Sequence, residues 1–359
     1  MMHYGKISYQ KEPPGGFFSV LRGRVNALLD RTDSKRFNYA HAKAIAFFLA
    51  FIFFYVLLLF SATAAQVIIC YTLLGITNFL IILNIVHEAV HGSLFPAKKL
   101  NAFASHWLEV LGTSSYFYRK RHIQSHHLYT NIVGLDLDIE QSALVRLSDQ
   151  EPFRKYHRYQ HFYLPLLYFL FSLNWFFIRD TKDYFRFKKT GTMPRWVLPQ
   201  LILFKINFLF FIIVLPVLII PVSWYTILFG FLVMNFILSG LAAMALLTAH
   251  VGEDAVFPEP DQDGIMKDTW AVHQVRTTHD FATNSPFFNF ILGGFNFHVA
   301  HHLFPSVSHV NYPAITKIIK QTCFEFGIEY KNEALGKAML SHFKLLRKTS
   351  GFHLESMEF

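Results

Sequence analysis

Cysteine is nearly missing from this chain: there are two in 359 residues, Cys70 within an apolar run and Cys323 near the end. Two isolated thiols build neither a disulfide framework nor a thiolate metal cluster. Acidic residues are also scarce, with 24 Asp and Glu against 33 Lys and Arg, a net charge of +9. No nucleic-acid-binding motif accompanies that excess of base, so nucleic acid is not an expected partner, and a basic surface meeting anionic lipid is. No apolar signal-peptide core precedes residue 43, and neither internal repeats nor low-complexity tracts occur.

Apolar residues are abundant instead, at 53% of the chain with 41 Phe, too many for an average soluble domain. Four runs are long enough to cross a bilayer as helix: about 42–62, 65–87, 199–220 and 222–249. They pair as two tight hairpins, because the connectors "SATAAQ" and "PVSWY" are short and uncharged. Arg22, Arg24, Arg31, Lys35, Arg36 and Lys43 precede the first run, and Lys98, Lys99, Arg119, Lys120 and Arg121 follow the second. This bias places both termini and the long middle segment on the cytoplasmic side. A fifth run, about 161–180, is read as an interfacial or re-entrant helix, with Tyr163, Tyr168 and Trp175 suited to the headgroup boundary.

The expected fold is therefore an all-α integral membrane protein. It has four transmembrane helices in two hairpins, interfacial helices and a cytoplasmic histidine-rich helical cap. Residues 1–41 form a cytoplasmic N-terminal arm, 42–325 the membrane domain and 326–359 a C-terminal tail.

Nineteen histidines is a high number, and eight of them fall into three groups. His87 and His91 lie in "HEAVH", His122, His126 and His127 in "HIQSHH", and His298, His301 and His302 in "HVAHH". Spacings of three, four and five put these rings on one side of a helix, so several ring nitrogens can converge. Burying so many imidazoles at a membrane boundary without metal would cost about a few kcal/mol for each unpaired nitrogen. A tetrahedral zinc takes four ligands at most, so eight suit two ions sharing a site. An even number of crossings between the second and third groups puts all three on one face, which is the argument against a fifth span. The first group also matches the H-E-x-x-H pattern of zinc proteases, with Glu88 as base, but that match is read as incidental to a larger cluster.

At this point the chain resembles the membrane-bound fatty acid desaturases with three histidine boxes, over roughly residues 40–325. Finer detail is similar to front-end and linoleoyl-CoA-type acyl desaturases: "HHLYTNIVGLDLDI", "WAVHQVRTTHDFA" and "GGFNFHVAHHLFPSVSHVNYP". The resemblance implies two non-haem iron ions, O2 as co-substrate, and a double bond placed in a long-chain acyl-CoA or acyl-lipid. His298 stands where front-end members often carry Gln, and "KEPPGG" lacks the histidine of a fused cytochrome b5 haem motif. Electrons are then expected from a separate ferredoxin, or from cytochrome b5 and its reductase. The family also supplies one further ligand near the end of the fourth span, where His250 stands. Glu88, Asp136, Asp138 and His273 are candidates to orient ligand imidazoles by accepting their other N–H or packing behind them. A bacterial inner membrane is the first expectation for location, the endoplasmic reticulum the second.

Three other readings fit parts of the pattern. A hydroxylase would use the same di-iron scaffold. A haem or metal-transport protein would place histidines or polar residues within facing spans, whereas these cluster at one face. An intramembrane zinc protease would need only His87, Glu88 and His91. It predicts that replacing His126 or His302 with Ala leaves activity intact, whereas a centre that needs all three groups loses activity in both variants.

Overall fold

A computed structural model describes residues 7–31, 35–140, 142–191 and 193–351, and the architecture is helical with two small two-stranded ladders. The chain divides into two compact units, one from residues 38–119 and 165–244, the other from residues 1–37, 120–164 and 245–359.

The first of these units holds the membrane helices. After α1 (Phe17–Leu29), which belongs to the other unit, come α2 (Asn38–Leu59) and α3 (Ala64–His91). Later in the chain come α7 (Val197–Ile219) and α8 (Trp224–His250). These are four helices long and apolar enough to cross a bilayer, on the four predicted runs. The α2–α3 connector is a capping box. Thr63 Oγ1 accepts from the Gln66 amide at 3.3 Å, while Gln66 Oε1 accepts from the amides of Ala62 (2.8 Å) and Thr63 (3.1 Å). The sequence T-x-x-Q therefore starts α3 where the hairpin turns.

Close approach of α3 and α8 depends on two glycines. A Cβ on Gly75 would lie 2.6 Å from the Met234 carbonyl oxygen, and one on Gly230 would run into the Tyr71 ring. Tyr71 and Tyr55 then do polar work. α7 contains a π turn at Phe210–Val214, which leaves carbonyls without their usual helical partners. The Tyr71 hydroxyl donates to Ile212 O (2.5 Å) and the Tyr55 hydroxyl to Phe211 O (2.7 Å). An apolar medium offers no water for this purpose.

The predicted helix at about 161–180 is two helices, α5 (Lys155–Tyr168) and α6 (Phe171–Lys188), bent by 87°. The break is stabilised from α8: the Ser172 amide donates to Ser239 Oγ (3.0 Å) and the Ser172 hydroxyl to Asn235 Oδ1 (2.8 Å). These side chains satisfy the start of α6, which has no preceding turn of its own to bond.

The other unit carries the chemistry-bearing segments: residues 120–129 of a helical stretch at 115–129 (α4), α9 (Trp270–Thr277), α10 (His298–Leu303), α11 (Tyr312–Glu325) and α12 (Leu335–Lys348). Residues 7–31 of the N-terminal arm are folded into it. Phe17, Leu21 and Val25, spaced four apart, are buried in one cluster with Val299, Ala300, Ile315 and Ile319. β1 (Ser8–Gln10) pairs in parallel with β2 (Ile265–Thr269), and β3 (Asp280–Phe281) with β4 (Asn332–Glu333). The tail is likewise built in, since α12 buries Ala338, His342, Leu345 and Leu346, and His342 Nδ1 donates to the Val251 carbonyl at 2.7 Å.

Replacing Gly75 with Leu forces α3 away from α8. The expected cost is about 1–3 kcal/mol, read as a lower thermal midpoint of the detergent-solubilised protein, while Gly23→Leu on the exposed face of α1, where a Cβ meets nothing within 4 Å, does not lower the midpoint.

Candidate metal centre

Seven of the nine candidate ligands lie in the second unit: His122, His126, His127, His250, His298, His301 and His302. Box two sits on a π turn, His122–His126, in which the His127 amide bonds back five residues to the His122 carbonyl. That wider turn holds more than four residues per revolution. His122, His126 and His127, at offsets of four and five, therefore all stay on the inward face. Box three, His298–Leu303, places its three histidines on one side by offsets of three and four. His250 is the last residue of α8.

Four rings converge most closely. His298 Nε2 lies 2.6 Å from His250 Nε2 and 3.2 Å from His302 Nε2, and His126 Nε2 lies 3.1 Å from His250 Nε2. All four residues are buried. Their other nitrogens all meet acceptors. His126 Nδ1 is 2.9 Å from Asp136 Oδ2, His250 Nδ1 3.1 Å from Thr277 O, His298 Nδ1 3.1 Å from Phe295 O, and His302 Nδ1 2.8 Å from Gln274 Oε1. A carboxylate, two carbonyls and an amide oxygen can only accept, so each Nδ1 must carry the proton. In a neutral imidazole each Nε2 is then a lone pair. Four buried lone pairs within 4.8 Å of one another repel unless a cation lies between them. The residues therefore fit a metal ion.

The electrostatics of His302 and His126 run in opposite directions. Burial pushes the His302 pKa well below its usual value, and the neighbouring rings of His127, His298, His250 and His126 push it further, so this ring stays neutral. Burial also pulls on His126, but the Asp136 carboxylate outweighs it and raises the pKa.

A second convergence adjoins the first. His127 Nε2 lies 3.2 Å from His122 Nε2 and 3.1 Å from His301 Nε2, and the His127 ring stacks on His302 with centroids 4.4 Å apart. His122 Nδ1 is 2.9 Å from Asp138 Oδ2, and His301 Nδ1 is 3.3 Å from the Tyr312 hydroxyl. His87 and His91 stand at the end of α3 in the other unit, ring centroids 5.1 Å apart, beside buried Glu88 and directly after a π turn at Ile82–Val86.

The candidate orienting residues divide. Asp136 and Asp138 contact ligand imidazoles directly, and Asp136 also accepts from the Asn131 and Asp138 amides at 2.9 Å each. His273 donates instead to the Thr130 carbonyl at 2.8 Å, so it steadies the end of box two and touches no box imidazole through this bond. Arg119 and Arg121, read from sequence as part of the basic flank after the second apolar run, are used internally. Arg119 donates to Val90 O and Ser105 Oγ, and Arg121 is buried with its Nε 3.7 Å from Asp138.

Several residues of the site had escaped the sequence reading. Gln274 fixes His302 and accepts from the Thr130 hydroxyl at 2.9 Å. Asn131, in the left-handed region at φ 58°, donates through Nδ2 to the carbonyls of His250 (3.1 Å) and Val256 (3.2 Å) and so ties box two to the end of α8. Asp280 is fully buried and accepts from the Val299 amide at 2.8 Å and from the Tyr330 hydroxyl, holding the start of α10; burial pushes its carboxyl up to about 7. The one signal for Gln274 was its place in "WAVHQVRTTHDFA" beside His273. Thr277 acts through its carbonyl, which every residue possesses.

These features define a class: a helical integral membrane protein whose buried imidazole cluster is built to receive a cation. Comparison with known proteins makes that particular. A family model described as "Fatty acid desaturase" matches residues 62–333. The chain is 35% identical over 300 residues to a protein of Synechocystis named sn-1 linoleoyl-lipid 6-desaturase, covering 80% of this chain and 83% of that one. A protein of the same name from Arthrospira platensis is 34% identical, covering 74% and 73% respectively. The acyl-lipid (8-3)-desaturase of Physcomitrium patens is 33% identical, covering 74% of this chain and 56% of that protein. The chain belongs to the fatty acid desaturase family and is an oxidoreductase of fatty acyl chains.

Replacing Asp136 with Ala removes the acceptor that sets the His126 tautomer. Metal affinity, measured by competition with a chelator and metal analysis of the purified protein, is expected to fall roughly 10–100-fold. Gln274→Leu, acting on His302 in the same way, falls in the same direction, and Asp268→Asn, on the partly exposed pair with Arg276, leaves affinity unchanged.

Proposed function

We propose that this protein is an acyl-lipid desaturase with two non-haem iron ions held by His87, His91, His122, His126, His127, His250, His298, His301 and His302. The reaction converts adjacent methylenes of a long acyl chain to a double bond. O2 becomes two waters, and two electrons and two protons come from outside. The observation that carries this reading is the convergence of the His126, His250, His298 and His302 Nε2 atoms with every Nδ1 committed to an acceptor. Relatives whose names specify lipid-linked acyl substrates favour a glycerolipid over acyl-CoA.

Bound iron supplies the oxidising power that an unactivated methylene requires, and imidazole nitrogen suits it. The chain's own residues do the rest. Asp136 and Asp138 hold the protons of His126 and His122 on Nδ1, so that Nε2 faces inward. Gln274 and the Thr277 and Phe295 carbonyls do the same for His302, His250 and His298. Near-complete burial of His298 and His302 keeps water from a site where a strong oxidant would be quenched. Apolar helices α2, α3, α7 and α8 suit an acyl tail held at fixed depth, which selects the attacked C–H by geometry.

Electrons come from a separate protein, a ferredoxin or a cytochrome b5 with its reductase. By the distribution of basic residues the site faces the cytoplasm, and a bacterial inner membrane is the favoured location.

The test is a fatty-acid profile by gas chromatography and mass spectrometry from cells expressing the chain with a matched reductase system. A new unsaturated acid, absent from a His302→Ala control that retains membrane insertion, is the expected result and gives the double-bond position. A hydroxylated acid overturns desaturation in favour of the sister chemistry, and purified protein holding a single zinc and no iron overturns the di-iron assignment.

A further inference from the structure

Residues 153–160 and the outer face of α12 form one surface that the catalytic reading leaves unused. The segment "FRKYHRY" (153–159) exposes Phe153, Arg154, Lys155 and Tyr159 and leads straight into the apolar part of α5, where Phe162 is 68% exposed. α12 buries Ala338, His342 and Leu345, which turns Leu340 and Phe343 outward together with Lys344, Arg347 and Lys348.

The two elements are pinned together within one unit. Gln160 Nε2 donates to Leu346 O and Thr349 Oγ1, both at 2.9 Å, and Arg146 Nη1 donates to Thr349 O at 2.8 Å while its guanidinium lies over the Phe153 ring at 5.8 Å. Arg347 is close enough to His161 to depress its pKa, behind the effect of burial. Among the described residues Arg154, Lys155, Arg347 and Lys348 have no ion-pair partner, although the carboxylates of Glu253 and Glu333 engage Lys344 and Lys337 nearby.

Leu340 and Phe343 add apolar surface beside these cations and continue the exposed Phe153 and Phe162. A face meeting only hydrocarbon would not hold four cations. The mixture suits the headgroup layer, where aromatic rings sit at the boundary and Lys and Arg reach lipid phosphates. Continuity decides between a lipid surface and a protein partner, because the same surface runs without a break into the apolar helix α5.

We propose that Arg154, Lys155, Arg347 and Lys348, with Phe153 and Phe343, form an anchoring surface for anionic lipid headgroups. It binds phosphate-bearing lipid at the membrane boundary and sets the depth at which α5 enters the apolar layer. It involves none of the histidine ligands and is testable without turnover.

The experiment reconstitutes the full-length protein in phosphatidylcholine vesicles with or without about 30 mol % phosphatidylglycerol, and compares the association of spin-labelled forms of the two lipids with the protein. The wild type is expected to prefer phosphatidylglycerol by roughly fivefold, the amount one engaged cation supplies. The variant R154Q/K155Q/R347Q/K348Q, with unchanged metal content and elution profile, drops to within about twofold of no preference, and high salt does the same to the wild type. K317Q/K320Q, on α11, keeps the wild-type preference. The proposal is overturned if the quadruple variant keeps the preference, if the wild type has none, or if the α11 variant loses as much. It is also overturned if the quadruple variant keeps its lipid preference and instead loses donor-dependent turnover, which would mark the surface as a protein-docking site.

Discussion

The rest of this structure depends on a constraint of single-proton chemistry: a neutral imidazole carries one N–H, and whatever accepts it decides which nitrogen is left to bind metal. Four different acceptors make that choice around the central cluster: the Asp136 carboxylate, the Gln274 amide oxygen and the Thr277 and Phe295 carbonyls. They come from three separate stretches of chain, since Gln274 and Thr277 share α9. Holding them in register is the task of α9, of the turn before box three and of the loop after box two. Asn131 and His273 serve this framework and not the metal, since each bonds to backbone that carries a ligand.

Irregular backbone is the means by which regular helices deliver these rings. The π turn at His122–His126 brings offsets of four and five onto one face, and another precedes His87. Each such turn disturbs the helical bonding pattern, and in an apolar medium the loss must be met by side chains. The Tyr55 and Tyr71 hydroxyls do this for the π turn of α7, and Ser172, Asn235 and Ser239 do it at the α5–α6 break. Polar residues inside the spans thus have structural work to do, and their presence does not mark a transport path.

The scarcity of acid in the composition takes on meaning here. Asp136, Asp180 and Asp280 are all fully buried, and Asp136 and Asp280 each accept from backbone amides as well as from side chains. A buried carboxyl is costly unless it is bonded in this way. These two organise the ends of the segments that carry box two and box three, while most of the basic excess lies outside the spans, where positive charge meets the lipid surface.

Much of this was legible in the residues themselves. Apolar run length marked α2, α3, α7 and α8, since crossing a bilayer sets a length that composition alone reveals. The spacing of His126 and of His298 and His302, and the position of His250 at the end of an apolar run, marked rings that the structure brings together. Asp136 and Asp138 were readable because carboxylates close behind a histidine group have an evident partner. The break at 169–170 was hidden, because the side chains that stabilise it lie on α8, more than 60 positions away in sequence. The packing of the N-terminal arm was not readable, because the partners of Phe17, Leu21 and Val25 are in α10 and α11. Local sequence by itself determined which segments are apolar, where helices begin and which rings share a face, because those properties act over one or two turns. Only tertiary structure decided which acceptor takes each imidazole proton, because Gln274 and a backbone carbonyl at Thr277 become tautomer-setting groups only when folding carries them against His302 and His250.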